Sequence, residues 1–401
     1  MALETKQGEK LSSNNKKKLR SVFRGTKSLA VTSLLVFISA SPNIHAGNTE
    51  MIDCPFRESP FSLESPFFHI LVSPDARQLV NQHLPGFLDS LPDDFKRVEP
   101  PTPETRSTYS LTQSVGAVAR RNQVAEDQLE QINKSLSVLK ITDADRQARC
   151  ATYDANLIDL DIPEADNRIL VFNKVVGFDH GPVVGAATEA IQKIADELDW
   201  GVRVTNSAGV FTPEILDKFD LVIWNNNYGD ALTLSQREAY REYISQGGGY
   251  LGIHAAGNHW FNMWPWYREA LLGGARSIGH PGGEYQFQEA YVEVEPTAGK
   301  IGQQQMPGWT LMEEWYSFES SPRANGVTVI ANLDDSSYEP LRWAMGEDHP
   351  VVWSNCVGDG RALYTAIGHL PEVYSDPDYS TLFKDAIVWT ANPDGNQCQP
   401  E

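Results

Sequence analysis

Short apolar runs alternate with helix-length amphipathic segments beyond residue 168. A helix is predicted from about Gly185 to Leu198, and another begins at Thr233 and ends at the triple glycine Gly247-Gly248-Gly249. The apolar runs between these segments lie at residues 169–176, 202–204, 221–224 and 250–253. Buried strands that alternate with helices predict right-handed crossovers and a parallel sheet covered by helices.

The pattern changes after Pro281. Apolar and polar residues alternate cleanly from Tyr291 to Glu295, as in a strand with one solvated face. Further strands are predicted at residues 327–330, 351–353 and 361–365, and a last helix at about 379–390. We therefore expect antiparallel or mixed pairing in this part of an α/β domain that spans residues 165–395.

Residues 47–150 show helical rather than strand periodicity. Pro74-Asp75 opens a predicted helix that runs to His83, and prolines at Pro100, Pro101 and Pro103 mark a loop. Apolar residues between Val124 and Leu139 recur at spacings of three to five, which indicates an amphipathic helix. The sequence thus predicts a small N-terminal all-α module, with packing or docking as its expected role.

The first 46 residues have the order of a secretory signal peptide. Lysines and arginines precede an apolar run from Leu29 to Ala40, and small residues lead to an expected cleavage site after Ala46. We expect a periplasmic or secreted protein without a stable membrane span after cleavage, and an uncleaved membrane anchor is the weaker alternative. In an oxidising compartment the four cysteines favour two disulfides, and Cys54–Cys150 with Cys356–Cys398 is the preferred pairing.

Charge narrows the class of partner. The first 46 residues carry eight of the 33 basic and two of the 53 acidic residues, so the remainder has a net charge of −26. Such a surface repels phosphate backbones, which argues against a nucleic-acid partner. Neutral sugars, cations and metals remain open, and the sequence does not determine the oligomeric state.

Four histidines follow strands or lie in loops of the α/β domain. They are His180, His254, His280 and His369. Together with Glu314, their imidazoles would suit general acid–base catalysis or a zinc-type metal, for which His254, His280 and His369 are the candidate ligands. No cofactor follows with certainty, although a divalent metal such as zinc is a candidate.

Other residues refine this picture. We expect His259 and His349 to be structural. The aromatic residues after His254 are expected to divide between the core and a sugar-binding wall, and Trp266 and Tyr316 are the candidates for substrate contact. There is no G-x-S-x-G elbow and no nucleotide-binding fingerprint after the first strand, which disfavours serine hydrolases and dinucleotide enzymes.

The chain resembles the ThuA-like (trehalose-utilization) family from Arg168 to Ala391. The matching pieces are Leu232-Thr233, Gly247 to His254, His280-Pro281, Glu314 to Phe318, His349 to Trp353, and Gly360-Arg361 through Gly368-His369. The resemblance implies a flavodoxin-like, doubly wound fold of the class I glutamine amidotransferase type. In that superfamily a nucleophilic cysteine occupies the G-x-C-x-G elbow. His254 stands at this position, so glutamine amide hydrolysis should be absent.

These observations lead to a functional hypothesis. We expect an exported protein that acts on a sugar or oxidised sugar derivative, as an enzyme of isomerase or hydrolase type. His254, His280, Glu314 and His369 would form the catalytic set. His180, Trp266 and Tyr316 would contact a small-molecule carbohydrate. The alternative is a noncatalytic carbohydrate-binding module whose helical segment docks a partner.

Overall fold

The strands in the described part of the chain form one large and one small sheet. A computed structural model describes residues 52–257, 264–296, 298–392, 394–396 and 398. The strands in these residues are β1 Arg168–Phe172, β2 Gly201–Thr205, β3 Leu221–Asn225, β4 Gly249–Ile253, β5 Ser277–Gly279, β6 Gln288–Val294, β7 Gly308–Glu313, β8 Ser317–Phe318, β9 Thr328–Leu333, β10 Pro350–Val357 and β11 Gly360–Thr365. The large sheet has the order β2-β1-β3-β4-β11-β10-β9-β6-β7, and β5 pairs with β8.

Half of the large sheet is parallel. Strands β1 to β4 and β11 run in the same direction, and β4 lies between β3 and β11. Strands β1, β3 and β4 are almost continuously buried, which explains why they read as unbroken apolar runs. Strands β10, β9, β6 and β7 each pair antiparallel with their neighbour, as the alternating sequence after Pro281 predicts.

Helices flank the sheet and precede it. Their bounds are α1 Phe67–Val72, α2 Pro74–His83, α3 Phe87–Ser90, α4 Asp93–Lys96, α5 Val115–Arg121, α6 Glu126–Leu136, α7 Asp143–Arg149, α8 Pro182–Leu198, α9 Pro213–Leu216, α10 Leu234–Ser245 and α11 Pro377–Ala391. Helices α8, α10 and α11 contact the strands of the large sheet. Thr233 caps α10 in a capping box with Gln236, and Gly247 leaves the helix at a φ of +114°, as the sequence indicates.

The helical region, residues 52–153, has its own apolar cluster but also joins the main core. Phe67, Ile70 and Val80 belong to the local cluster, whereas Phe68 and Leu111 pack in the core of the sheet. The Thr108 backbone N–H donates to the Gly177 carbonyl at 2.8 Å, and the Tyr153 hydroxyl donates to Asp230. Residues 50–401 accordingly form one compact unit.

Several sequence predictions can be compared with the structure. Both predicted disulfides, Cys54–Cys150 and Cys356–Cys398, are present. The first strand is shorter than predicted, because it ends at Phe172 and the Asn173 side chain turns to donate to Thr188. Among the described residues, no helix combines the length and apolar character that a membrane crossing requires. The predicted signal peptide lies outside the described residues.

Candidate functional site

His254 occupies a tight turn directly after β4. Its φ of +46° lies in the left-handed region, which non-glycine residues adopt rarely and usually where the surroundings enforce it. The side chain is fully buried, and its Nδ1 lies 2.7 Å from the Ala366 carbonyl oxygen. That carbonyl can only accept, so Nδ1 carries the proton and Nε2 of the neutral ring presents a lone pair. Burial lowers the pKa of His254, which favours this neutral form.

His369 follows β11, the parallel neighbour of β4. Its backbone N–H and that of Gly368 each donate to the buried Glu313 carboxylate at 3.0 Å. The Glu314 backbone N–H donates to the same carboxylate at 2.7 Å, so Glu313 fixes both loops. Burial raises the pKa of Glu313 to about 7, although these backbone hydrogen bonds oppose the shift.

Glu314 lies at the centre of the histidines. Its Oε2 is 3.3 Å from His254 Nε2 and 3.1 Å from His369 Nδ1, and its Oε1 is 3.4 Å from His280 Nε2. Gln286 donates to Oε1 at 2.6 Å. Burial would raise the pKa of Glu314, but its contacts with His254 and His369 hold it well below the usual range. Burial alone would lower the pKa of His369, but Glu314 raises it above its usual value.

His180 completes the group from the loop after β1. Its ring centre lies 5.4 Å from that of His254 and 5.2 Å from that of His369. His180 is 7% exposed, and burial holds its pKa well below the usual value. Ligand nitrogens of His180, His254 and His369 lie within 4.8 Å of one another, so these three imidazoles could share one metal ion.

Tyr316 links His254 to His280. Its ring stacks at 4.2 Å from the His254 ring and 5.7 Å from the His280 ring. The backbone carbonyl of Tyr316 lies 2.9 Å from Nε2 of His349, whose Nδ1 lies 2.6 Å from Asp335. His349 is thus a buried, hydrogen-bonded structural residue, as expected.

A cavity of about 290 Å³ opens beside these side chains. Its lining residues are Tyr109, Gln113, Arg121, Phe178, His180, Tyr228, His280, Gln286, Glu314, Tyr316 and His369. Tyr109, Gln113 and Arg121 come from the helical region, for which the sequence indicated only packing or docking. The sequence of this region gave no sign of a cavity wall, apart from a mostly polar run, Ser107 to Ser114, that the structure largely buries.

The structure brings together most of the candidate residues. His180, His280, Glu314, Tyr316 and His369 line the cavity, and fully buried His254 contacts Glu314 and His369 from behind. The group that could share a metal contains His180 in the place of the candidate ligand His280, whose Nδ1 lies 2.7 Å from the Pro281 carbonyl.

Trp266 is the candidate that lies elsewhere. It is not among the described residues that line the cavity; its ring instead lies 5.2 Å from that of Trp264, with the Arg241 guanidinium 5.6 Å from its centre. A run of aromatic residues does not show by itself which rings face a ligand. His259, Trp260 and Phe261 lie outside the described residues.

A mixed sheet with a tight turn at the carboxyl end of central strand β4 defines an α/β fold, and the family match makes this fold glutamine amidotransferase-like. Within that class, the model of the ThuA family, described as trehalose utilisation, matches residues 168–390, more than half of the chain. The chain belongs to the ThuA family, and it is therefore related to trehalose-utilisation proteins. The helical region lies outside the matched residues.

Solved structures of ThuA-like proteins are similar to this chain. One from Bacteroides uniformis is 23% identical to this chain, with a TM-score of 0.49. The match covers 58% of this chain and 95% of the Bacteroides uniformis chain. Another from Parabacteroides merdae is 14% identical to this chain, with a TM-score of 0.45. The match covers 58% of this chain and 91% of the Parabacteroides merdae chain. No match was found among curated proteins.

Proposed function

We propose that the protein is an exported sugar-modifying enzyme that transfers protons on an oxidised sugar, using His280 and Glu314. The observation that carries this proposal is the convergence of three imidazoles and one carboxylate on a single cavity, with a fourth imidazole, His254, buried behind them. Family membership supports a role in the use of trehalose and related sugars. A cavity of about 290 Å³ is at the lower end of the roughly 300–1,000 Å³ range of small-molecule pockets, which favours a single sugar unit.

The lining residues suit a carbohydrate. Aromatic rings from Tyr109, Phe178, Tyr228 and Tyr316 offer flat apolar walls, and amide groups from two glutamines could bind hydroxyls. Arg121 adds a cation to the wall. This combination favours a sugar derivative that carries a carbonyl or carboxylate as well as hydroxyls.

His280 is the best placed proton carrier. Its side chain is 29% exposed and lines the cavity, whereas that of His254 is fully buried. Glu314, whose pKa is held well below its usual range, lies 3.4 Å from His280 Nε2 and orients this ring. His254 and His369 contact Glu314 from the other side and act as positioning residues in this proposal.

The type of reaction follows from the number of carboxylates. Glycoside hydrolases generally use two carboxyl groups about 5–9.5 Å apart on either side of the scissile bond. Of the described residues that line the cavity, Glu314 is the single carboxylate. An isomerase-type transfer at a carbon next to a carbonyl needs a base that takes the proton from one carbon and returns it to the next; His280 fills both roles in turn, while Glu314 orients its ring.

Deuterium exchange tests this reaction. A panel of trehalose, glucose and their keto and carboxylate derivatives would be incubated with the protein in D₂O and followed by NMR. We expect deuterium at one carbon of an oxidised sugar, and a rate about 10²–10⁴-fold lower in His280→Ala. His83→Ala is the matched control, because His83 lies in α2 and bonds Ser135 in the helical region. Binding without exchange or turnover would favour the noncatalytic module, and glycosidic cleavage would favour a hydrolase.

Export is part of the same proposal. The basic start, the apolar run and the small residues before Gly47 have the order of a signal peptide. Two disulfides, with no free cysteine in the described residues, are compatible with an oxidising compartment.

A further inference from the structure

Three potential ligand atoms meet at the buried side of the cavity. His254 Nε2 lies 2.9 Å from His369 Nδ1 and 3.3 Å from Glu314 Oε2. The last two atoms are 3.1 Å apart. The three atoms therefore form a nearly equilateral triangle. Any proton or cation located among them interacts with all three.

When His254 is neutral, protons alone cannot give all three atoms of this triangle a good hydrogen-bond partner. The Ala366 carbonyl takes the Nδ1 proton of His254, so Nε2 offers a lone pair. An ionised Glu314 also offers only lone pairs. A single proton on Nδ1 of His369 cannot be directed at both neighbours with good geometry. A cation located between the three atoms would satisfy all of them.

The size of the triangle fits a metal ion. Nitrogen and oxygen ligands of zinc lie about 2.0–2.2 Å from the ion, so adjacent ligands at octahedral to tetrahedral angles are about 3.0–3.5 Å apart. The observed separations of 2.9, 3.1 and 3.3 Å lie within or close to this range. The side chains would need only small adjustments to receive an ion.

His180 provides an independent observation. A ligand nitrogen of this residue lies within 4.8 Å of those of His254 and His369. Its Nδ1 is buried and has no hydrogen-bond partner among the described residues. A buried polar atom of this kind is expected to have a partner, and an ion at the triangle would bring one close.

The surroundings resemble the supporting contacts of metal sites. Such ligands are held by outer hydrogen bonds that fix the tautomer and orientation of each ring. Here the Ala366 carbonyl holds His254, the Glu313 carboxylate holds the backbone of His369, and Gln286 holds Oε1 of Glu314. His180, Glu314 and His369 also line the cavity, so an ion among them would face a bound ligand.

We propose that His180, His254, Glu314 and His369 bind one divalent transition-metal ion of the zinc type. The site stands on the ligand geometry and is independent of the identity of the sugar. A mixed set of neutral imidazoles and one carboxylate suits zinc and neighbouring first-row metals better than calcium or magnesium. In combination with the proposed function, the ion would lie where it could polarise a carbonyl oxygen of the sugar.

Calorimetry with Zn²⁺ tests the site without any sugar. Chelator-treated, untagged protein would be titrated with ZnCl₂, and bound metal would be counted by elemental analysis after gel filtration. We expect one Zn²⁺ per chain. His254→Ala and His369→Ala should each weaken binding by more than about 100-fold, because losing a ligand exceeds the usual 10–100-fold effect of an outer contact. His280→Ala is the matched control and should retain one equivalent, since its ring contacts Glu314 through the other oxygen.

Two results would overturn the proposal. One is the absence of saturable Zn²⁺ binding by a folded wild-type chain, which would leave a shared proton at the triangle. The other is unchanged binding in both ligand variants. If His254→Ala fails to fold, His180→Ala replaces it, and the same loss is expected. Because no sugar is present, failure here is distinct from failure of the deuterium-exchange experiment.

Discussion

The helical region and the sheet are expected to unfold together, and Phe67→Ala tests this coupling. Phe67 is fully buried in the local cluster of the helical region, whereas its neighbour Phe68 packs in the main core. If the two regions form one cooperative unit, damage to the local cluster must also destabilise the sheet. If the helical region folds on its own, the sheet should not respond.

The size of the effect follows from burial. Replacing a buried phenylalanine by alanine typically costs about 3–5 kcal/mol, a large share of the roughly 5–15 kcal/mol by which native proteins are stable. With an unfolding entropy of roughly 2.1 cal/mol/K per residue over about 350 residues, each kcal/mol corresponds to about 1.4 °C, so the unfolding midpoint should fall by roughly 4–7 °C. The disulfide Cys54–Cys150 remains in place and closes the helical region in both the wild type and Phe67→Ala.

The tryptophans provide a regional probe. All ten lie at position 200 or beyond, so their fluorescence reports the α/β region alone. Far-ultraviolet circular dichroism reports both regions. We expect Phe67→Ala to lower both midpoints together. Phe68→Ala is the positive control, because its ring belongs to the main core, and Val138→Ala, at a site 80% exposed, should change neither. Loss of helical signal at a temperature where the tryptophan transition is unmoved would refute the reasoning.

Three further predictions are more local. Burial would raise the pKa of Asp335, but its 2.6 Å contact with His349 holds it below the usual value. The resulting stabilisation should be complete above about pH 4 and should decline as the pH falls through the lower pKa of the folded state. A plot of the unfolding midpoint against pH should therefore be flatter for Asp335→Asn. In Gly185→Ala, the added Cβ would have no atom within 4 Å, and the variant should be about 0.5–1 kcal/mol more stable in urea unfolding. Destabilisation would contradict the open space beside Gly185 in α8. Mass spectrometry of the exported chain should find an N-terminus at Gly47 and no alkylated thiol, and four reactive thiols in native protein would argue against export.

Much of the sheet could be predicted because buried strands appear in the sequence as short runs of apolar residues. Parallel strands covered on both faces must be apolar throughout, and β1, β3 and β4 show this clearly. The position of β11 beside β4 leaves no such trace, since pairing over more than a hundred residues depends on the whole fold. The three-residue strand β5 is too short to show a period.

The site divides in a similar way. Strand order brings the ends of β1, β4 and β11 to one edge, so the convergence of His180, His254 and His369 follows from the topology. Topology does not place Trp266 in the same way, because an aromatic side chain can pack against a neighbouring tryptophan as well as against a sugar. The lining residues Tyr109 and Gln113 could not be predicted, because no local pattern indicates which distant segment will cover a sheet edge.

The origin of that covering segment bears on how the protein could diversify. The imidazoles and Glu314 lie within residues 168–390, which the ThuA family shares, whereas Tyr109, Gln113 and Arg121 come from chain outside that match. Under the proposed function, the reactive groups therefore lie within the matched stretch, whereas part of the cavity wall lies outside it. Relatives that keep the first stretch and replace the second could retain the proposed chemistry while binding ligands of a different shape. Exchange of the N-terminal segment between relatives is therefore a direct route to altered ligand selectivity.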